Sequence, residues 1–466
     1  MSKVLLINRA VARPNKEFHV SRRKWQPLNL LDISSFLLAS KIPVKIVDAR
    51  AMDYSIREVE KIIIAEQPQV VLVASDPFDF YQCPNPSLDS FYQLLALVRK
   101  IGVKYVLSIG PQATIFDKKL LEENLLDYII KGDDPKTAAG LIEALLNKKP
   151  ANYVNVSSKD GAQVNLGEIK HLEDLDSIPV AHYELLPMAR YAANMPDFSA
   201  VKFSVMSTSR GCPFGCKYCF KSLIGFKIRQ ANLPRIKSEL DELVIKHQIK
   251  AIYFLDDFFT FSRERVLAIC QLIINQGYDI VWGCQTRPDY VDEEILKKMK
   301  ESGCIYISYG VESGCPEVAT RSGKSLDLKK TQENIDLTRA CGIKAHINSL
   351  YGFPGETIKE FNQTIDFLIK NREASLPGAI RFYPGCAYYN QLIPGKSVAE
   401  VEKISLDLSL SALKTWDVEK GLARLIIKGK LRQQQYDWRL FYFLVKYFFP
   451  KLTTRFKKFL MAKEYD

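Results

Sequence analysis

The chain has 466 residues, 47% hydrophobic and 25% charged, with a net charge of +12. This is ordinary globular composition, which excludes a low-complexity or collagen-like chain, and the length calls for two or three domains rather than one core. No uncharged apolar run reaches the ~20 residues of a membrane span, and the opening MSKVLLINRA reads as a strand rather than a leader. The expected location is therefore the cytosol, where ten cysteines mean thiols, metal ligands or clusters and not a disulfide framework.

The first ~150 residues, about one domain's worth, alternate strand and helix. KVLLIN (3–8) is an apolar strand, LNLLDISSFLLAS (28–40) has helical periodicity, and PVKIVDA (43–49) is a strand ending at Asp48. Helix 55–67, strand 70–75, helix 87–101, strand 104–110, strand 127–132 and helix 136–146 follow. Five apolar strands separated by helices predict a doubly wound parallel sheet, which binds ligands at its strands' carboxyl ends. Those ends carry Asn8, Asp48, Ser75, Gly110 and Gly132. Residues 151–200 read as a connector with a hairpin near Asp160-Gly161. From 201 to 395 the alternation resumes with six strand candidates: KFSVMST, AIYFLDD, DIVWGCQT, CIYISYG, KAHINSLYG and GAIRFYP. Helices are predicted between them at about 232–247, 262–276, 292–301, 327–341 and 357–370. Six such units suit a partial or full parallel barrel with its active site at the strand carboxyl ends. From 396 to 466 the pattern is helical only.

TSRGCPFGCKYCF (208–220) follows the first of these strands and brings Cys212, Cys216 and Cys219 to one loop. Gly211, Pro213 and Gly215 let that loop fold back. Three thiolates suit zinc or an iron–sulfur cluster. Structural zinc takes four ligands, and no histidine or cysteine lies near enough in sequence to complete the set. A 4Fe–4S cluster held by three cysteines leaves one iron open for a substrate or cofactor.

This stretch resembles the signature of the radical S-adenosylmethionine (SAM) superfamily. The resemblance implies that the open iron chelates SAM and that one electron cleaves it to methionine and a 5′-deoxyadenosyl radical. It places Tyr218 beside adenine. It also implies SAM contacts from FLDDFFT (254–260) with Asp256 and Asp257, from GVESG (310–314) with Glu312, and from YGFPGET (351–357) with Gly352, Pro354 and Gly355. FYPGCAYY (382–389) ends the sixth strand, where Cys386 and Tyr383 are candidates to face the substrate. His346, Asn348, Gln285 and Arg287 also stand at strand ends. The resemblance covers about 200–390.

Within the superfamily, a doubly wound domain ahead of the barrel is similar to the cobalamin-binding class. WQPLNLLDISSFLLASKIPVKIVDAR (25–50), KYVLSIGPQAT (104–114) and DYIIKGDDPKT (127–137) carry that similarity. It implies that Asn8, Asp48, Ser75, Gly110 and Gly132 line a cobalamin site. No Asp-x-His-x-x-Gly occurs, so no histidine is placed to ligate cobalt. Pro111 after Gly110 and Asp133-Asp134 after Gly132 depart from the class pattern. The reaction implied is methylation of an unactivated carbon on a small-molecule or lipid-like substrate, with cyclisation or rearrangement as the alternative. Methylthio transfer is not expected, because the N-terminal region holds only Cys83. No cysteine follows Cys386, so auxiliary clusters are not expected either.

Residues 436–463 interleave aromatics with lysine and arginine. This suits either a peripheral contact with an anionic membrane or a helical cap over the barrel mouth. A flavodoxin or ferredoxin is the expected electron donor, and nucleic acid is not an expected partner. An electron carrier is the competing class, but carriers normally saturate their cluster with four thiolates.

Overall fold

A computed structural model of the chain describes residues 3–9, 24–76, 89–150, 152–192, 198, 201–221, 223–371, 374–396, 400, 404 and 408–431. Cys83 and the stretch 436–463 lie outside these described residues. Two compact units are present. One comprises Met1–Tyr309, Gln332–Ala345 and Arg381–Glu402, and the other Gly310–Thr331, His346–Ile380 and Lys403–Asp466.

The first sheet contains β1 (Val4–Asn8), β2 (Val44–Asp48), β3 (Val70–Ala74), β4 (Tyr105–Ile109) and β5 (Tyr128–Ile130), in the order β2-β1-β3-β4-β5. All of their pairings are parallel. VLLIN and VVLVA are buried at every position, as strands covered on both faces must be. The covering helices are α1 (Leu28–Ala39), α2 (Ile56–Glu66), α3 (Asp89–Ile101), α4 (Pro111–Ile115), α5 (Asp117–Glu122) and α6 (Pro135–Leu146). A capping box between Ser55 and Glu58 starts α2, and Gln67 in the left-handed region ends it. The predicted hairpin forms β6 (Val156–Asp160) and β7 (Gln163–Asn165), which add antiparallel to β5 and carry the sheet past residue 150.

The second sheet runs β15-β14-β13-β12-β11-β8. Its strands are β8 (Phe203–Met206), β11 (Ala251–Phe254), β12 (Val281–Thr286), β13 (Cys304–Glu312), β14 (Lys344–Tyr351) and β15 (Gly378–Ala379). Two edge strands remain, so this is the partial barrel and not the closed one. Its helices include α7 (Leu233–Leu240), α8 (Arg263–Asn275), α9 (Glu293–Glu301), α10 (Pro316–Arg321), α11 (Leu328–Ala340) and α12 (Ile358–Lys370). A short antiparallel pair, β9 (Ser209–Arg210) with β10 (Arg229–Gln230), follows β8. Toward the C-terminus come α13 (Ala387–Leu392) and α14 (Thr415–Leu431). Among the described residues, no helix is long and apolar enough to cross a membrane.

Candidate active site

The cysteine loop springs from the β9–β10 pair, in which Arg210 stands opposite Arg229. Both arginines are buried and converge on one residue at the end of β5. Arg229 Nη1 donates to Asp133 Oδ1 at 3.0 Å, and Arg210 Nη1 donates to the Asp133 carbonyl at 3.2 Å. Arg210 Nη2 also bonds Asp32 of α1 at 2.5 Å, and His171 Nδ1 lies 3.0 Å from Asp133 Oδ1. Burial opposes ionisation of Asp133, yet His171, Arg210 and Arg229 hold its carboxyl below the ordinary range. Inside the loop, Cys212 N–H donates to the Gly225 carbonyl at 3.2 Å. Gly211 has φ +95°, and a Cβ there would stand 2.2 Å from the Lys227 carbonyl oxygen, so only glycine fits.

The acids after β11 brace this loop. Asp256 is fully buried and accepts from Thr208 N–H at 2.7 Å, Thr208 Oγ1 at 2.6 Å and Ser209 Oγ at 2.6 Å. Asp257 accepts from Gly211 N–H at 2.7 Å. Phe214 packs edge-on against Phe258 and Tyr290, with the Arg287 guanidinium 4.0 Å over its ring. The segment after β15 reaches the same loop, because Tyr388 N–H donates to the Lys217 carbonyl at 3.0 Å. Cys386 is buried there and caps α13, its sulfur accepting from Tyr389 N–H at 3.4 Å. Tyr383, Tyr218 and Gln285 are half-buried.

Cys212, Cys216 and Cys219 are half-buried, and burial pushes the Cys212 thiol up. Sulfurs on one tetrahedral zinc stand about 3.8 Å apart, given Zn–S bonds of about 2.3 Å. Among the described residues, the group of metal-ligating atoms all within 4.8 Å of one another is Glu184, Glu242 and His247, and not these thiols. Three cysteines on one loop are a donor set that a 4Fe–4S cluster takes. The charge nearby agrees, since Lys221 Nζ lies 3.9 Å from Cys212 Sγ and 3.3 Å from its carbonyl oxygen.

The other compact unit carries the remaining strand-end residues of the second sheet. Glu312 is held at φ +69°, a conformation that costs a non-glycine residue energy. Its Oε1 accepts from the ammonium of Lys324 at 3.1 Å. A Cβ on Gly310 would meet both members of that pair, at 2.7 and 2.8 Å. In YGFPGET, Gly352 N–H and Phe353 N–H both donate to Glu356 Oε2, at 2.6 and 3.1 Å. Glu356 is fully buried, its Oε1 has no hydrogen-bond partner, and burial pushes its carboxyl up to about 7. Gly355 N–H donates to the Leu410 carbonyl at 2.7 Å, and Pro354 precedes it in the turn. His346 and Asn348 lie on β14, both half-buried.

At the first sheet's carboxyl edge, Asn8 Nδ2 and Ala51 N–H donate to Asp48 Oδ1, each at 2.9 Å, and Tyr191 OH donates to Oδ2 at 2.6 Å. Among the described residues, buried Asn8 Oδ1, Ser75 Oγ and Thr114 Oγ1 have no hydrogen-bond partner. Gly110 has φ +111°, and its Cβ would stand 2.6 Å from Ser75 Oγ. The bare polar atoms fit a bound polar ligand such as cobalamin. Gly132 differs, since a Cβ there would collide with the Lys170 carbonyl at 1.8 Å, a protein neighbour. Sequence reasoning missed Lys221, Arg210 and Asp32. Arg210 and Lys221 flank the motif, but only the folded loop shows what they touch.

The family model described as the Radical SAM superfamily matches residues 206–368. An uncharacterized methyltransferase, PH0819, of Pyrococcus horikoshii is 30% identical over 349 residues, covering 74% of this chain and 73% of that protein. An anaerobic magnesium-protoporphyrin IX monomethyl ester cyclase of Rubrivivax gelatinosus is 22% identical over 73% of this chain and 61% of its own length. Among solved structures, the radical SAM methyltransferase TsrM from Kitasatospora setae, with cobalamin and a [4Fe-4S] cluster bound, is similar in fold. It has a TM-score of 0.67 and 17% identity over 83% of this chain and 77% of that one.

Proposed function

The chain belongs to the radical SAM superfamily, and from that premise we propose that it is a cobalamin-dependent methyltransferase that methylates an unactivated carbon of a small-molecule or lipid-like substrate. The observation that carries this reading is the pairing, in one compact unit, of a three-cysteine loop with a parallel sheet whose carboxyl edge keeps Asn8 Oδ1, Ser75 Oγ and Thr114 Oγ1 buried without partners. When bound, the 4Fe–4S cluster with SAM supplies the radical that takes a hydrogen, and cobalamin supplies the methyl carrier.

The protein's own part is placement. Cys212, Cys216 and Cys219 hold the cluster, while Asp257 and the Asp256–Thr208–Ser209 bonds fix the loop that carries them. Glu312 and the Gly352–Gly355 turn are the proposed SAM contacts of the second sheet, with Tyr218 beside adenine. Asn8, Ser75 and Gly110 line the proposed cobalamin edge. Asp48 holds Asn8 in place there, and Gly132 lets the chain pass Lys170. Residues 1–150, 151–200, 201–395 and 396–466 are the proposed functional divisions. A flavodoxin or ferredoxin is the proposed electron donor.

The cyclase relative supports a second reading, radical cyclisation or rearrangement, on the same cysteine loop. Product analysis separates the two. The protein is purified without oxygen, reconstituted with iron, sulfide and hydroxocobalamin, and supplied with SAM and reductant. S-adenosylhomocysteine together with 5′-deoxyadenosine supports methylation. 5′-Deoxyadenosine alone, with no bound cobalt, overturns it in favour of cobalamin-free chemistry.

A further inference from the structure

Lys221 is 4% exposed and follows the last cluster cysteine by two positions. Its ammonium has Cys212 on one side, 3.9 Å from Sγ and 3.3 Å from the carbonyl oxygen. On the other side it stands 5.3 Å from the centre of the Phe226 ring, itself 61% exposed. Among the described residues, no carboxylate pairs with it. Asp257, the acid that also faces the Cys212 thiol, accepts a hydrogen bond from Gly211 N–H instead. A buried ammonium is costly unless an anion answers it. A carbonyl dipole and an aromatic face are partial answers. The anion available at this position is the thiolate of Cys212 and whatever it ligates.

We propose that Lys221 is the electrostatic partner of the iron–sulfur cluster, a positioning residue that raises the potential at which the cluster accepts its electron. The inference rests on the cluster reading above. Three thiolates on an oxidised cubane leave a net negative site, and the incoming electron adds one more negative charge. A fixed positive charge beside a ligand sulfur stabilises the reduced form more than the oxidised form. Hydrogen bonds to the sulfurs and burial are the recognised levers on such potentials. The electron comes from an external one-electron donor, a flavin or iron–sulfur protein in the cell and dithionite in the assay. The donor is oxidised, the cluster is reduced, and no bond forms or breaks at Lys221.

The test compares wild type, Lys221→Met and Lys221→Arg after anaerobic reconstitution. Iron and sulfide are counted, and the cluster is titrated with dithionite while the reduced form is followed by electron paramagnetic resonance, without SAM. At one ambient potential, the reduced-to-oxidised ratio of Lys221→Met is expected to fall about tenfold, about 59 mV for a one-electron couple. Lys221→Arg is expected to stay near wild type. A full cluster in Lys221→Met with an unchanged potential overturns the proposal. If Lys221→Met loses iron, Lys221→Arg decides. Retained iron supports a charge requirement, and loss in both variants makes Lys221 a packing residue. Absence of a cluster in the wild type is a different failure, and it removes the reading on which the inference stands.

Discussion

At the carboxyl edge of the first sheet the acids are answered by the protein. Asp48 accepts three hydrogen bonds, and Asp133 gathers Arg210, Arg229 and His171. Among the described residues, the neutral atoms left bare there include an amide oxygen of Asn8 and the hydroxyls of Ser75 and Thr114. At the strand ends of the second sheet the incompletely answered groups include ionisable ones. Lys221 has a cysteine where a carboxylate would be expected, and Glu356 keeps one carboxyl oxygen without a partner. Unanswered neutral atoms are cheap to keep and suit a large polar ligand held by many weak contacts. Unanswered charges are expensive and point to chemistry that changes charge.

Removing the cluster ligands should break the second half of this comparison outright. Cys212→Ala, Cys216→Ala or Cys219→Ala is expected to abolish both the cluster absorbance and 5′-deoxyadenosine. Turnover that survived all three changes would sink the account. Next in size is Asp133→Ala, which takes the carboxylate from the buried Arg229 guanidinium, while Arg210 keeps Asp32 and the backbone carbonyl of residue 133. Breaking a buried pair in this way costs about 3–5 kcal/mol, read as a lower urea midpoint with unchanged slope. A loss under about 1 kcal/mol would mean that Arg229 finds another partner.

The Glu356 carboxyl sharpens the contrast through pH. Burial raises it from 4.5 to about 7 in the folded protein, so the folded state binds the proton more tightly than the unfolded state. Stability therefore falls as pH rises from 4.5 to about 7, and the full cost persists above that. The difference is on the order of 3 kcal/mol. Glu356→Gln, a mimic of the protonated form, should flatten this slope and be the more stable protein near pH 8, with the gap closing near pH 5. Parallel pH profiles for the two proteins would contradict the assignment. The smallest effect belongs to the neutral edge. Ser75→Ala removes a hydroxyl that bonds nothing among the described residues, so stability should change by less than about 0.5 kcal/mol. Cobalamin retention should weaken about tenfold, the worth of one lost hydrogen bond. A destabilised Ser75→Ala with normal cobalamin binding would reverse that reading.

Much of this architecture is legible in the sequence. Runs such as VLLIN and VVLVA can only be buried strands, and the helix expected at 262–276 is observed at Arg263–Asn275. After Gly110 the sequence is less open, because α4 and α5 are five and six residues long, too short for a periodic apolar pattern. The helix expected at about 232–247 runs as α7 and then as a six-residue π-turn at Asp241–Lys246, and only the π form is not announced by periodicity. The cysteines are legible because they are local. The clamp on their loop is not, since Arg210 reaches its Asp133 carbonyl across 77 residues. Nor is the turn before α12 legible, because two neighbouring residues there do different work. The cap is Thr357 with Glu360, and Glu356 turns back onto the Gly352 and Phe353 amides.

The most direct test of the central claim is to measure bound cobalt and SAM products in one anaerobically reconstituted sample. The account predicts near-stoichiometric cobalt with both S-adenosylhomocysteine and 5′-deoxyadenosine, and loss of the deoxyadenosine in the cysteine variants. A fully loaded cluster that leaves SAM intact under strong reductant would contradict it and return the chain to the class of electron carriers.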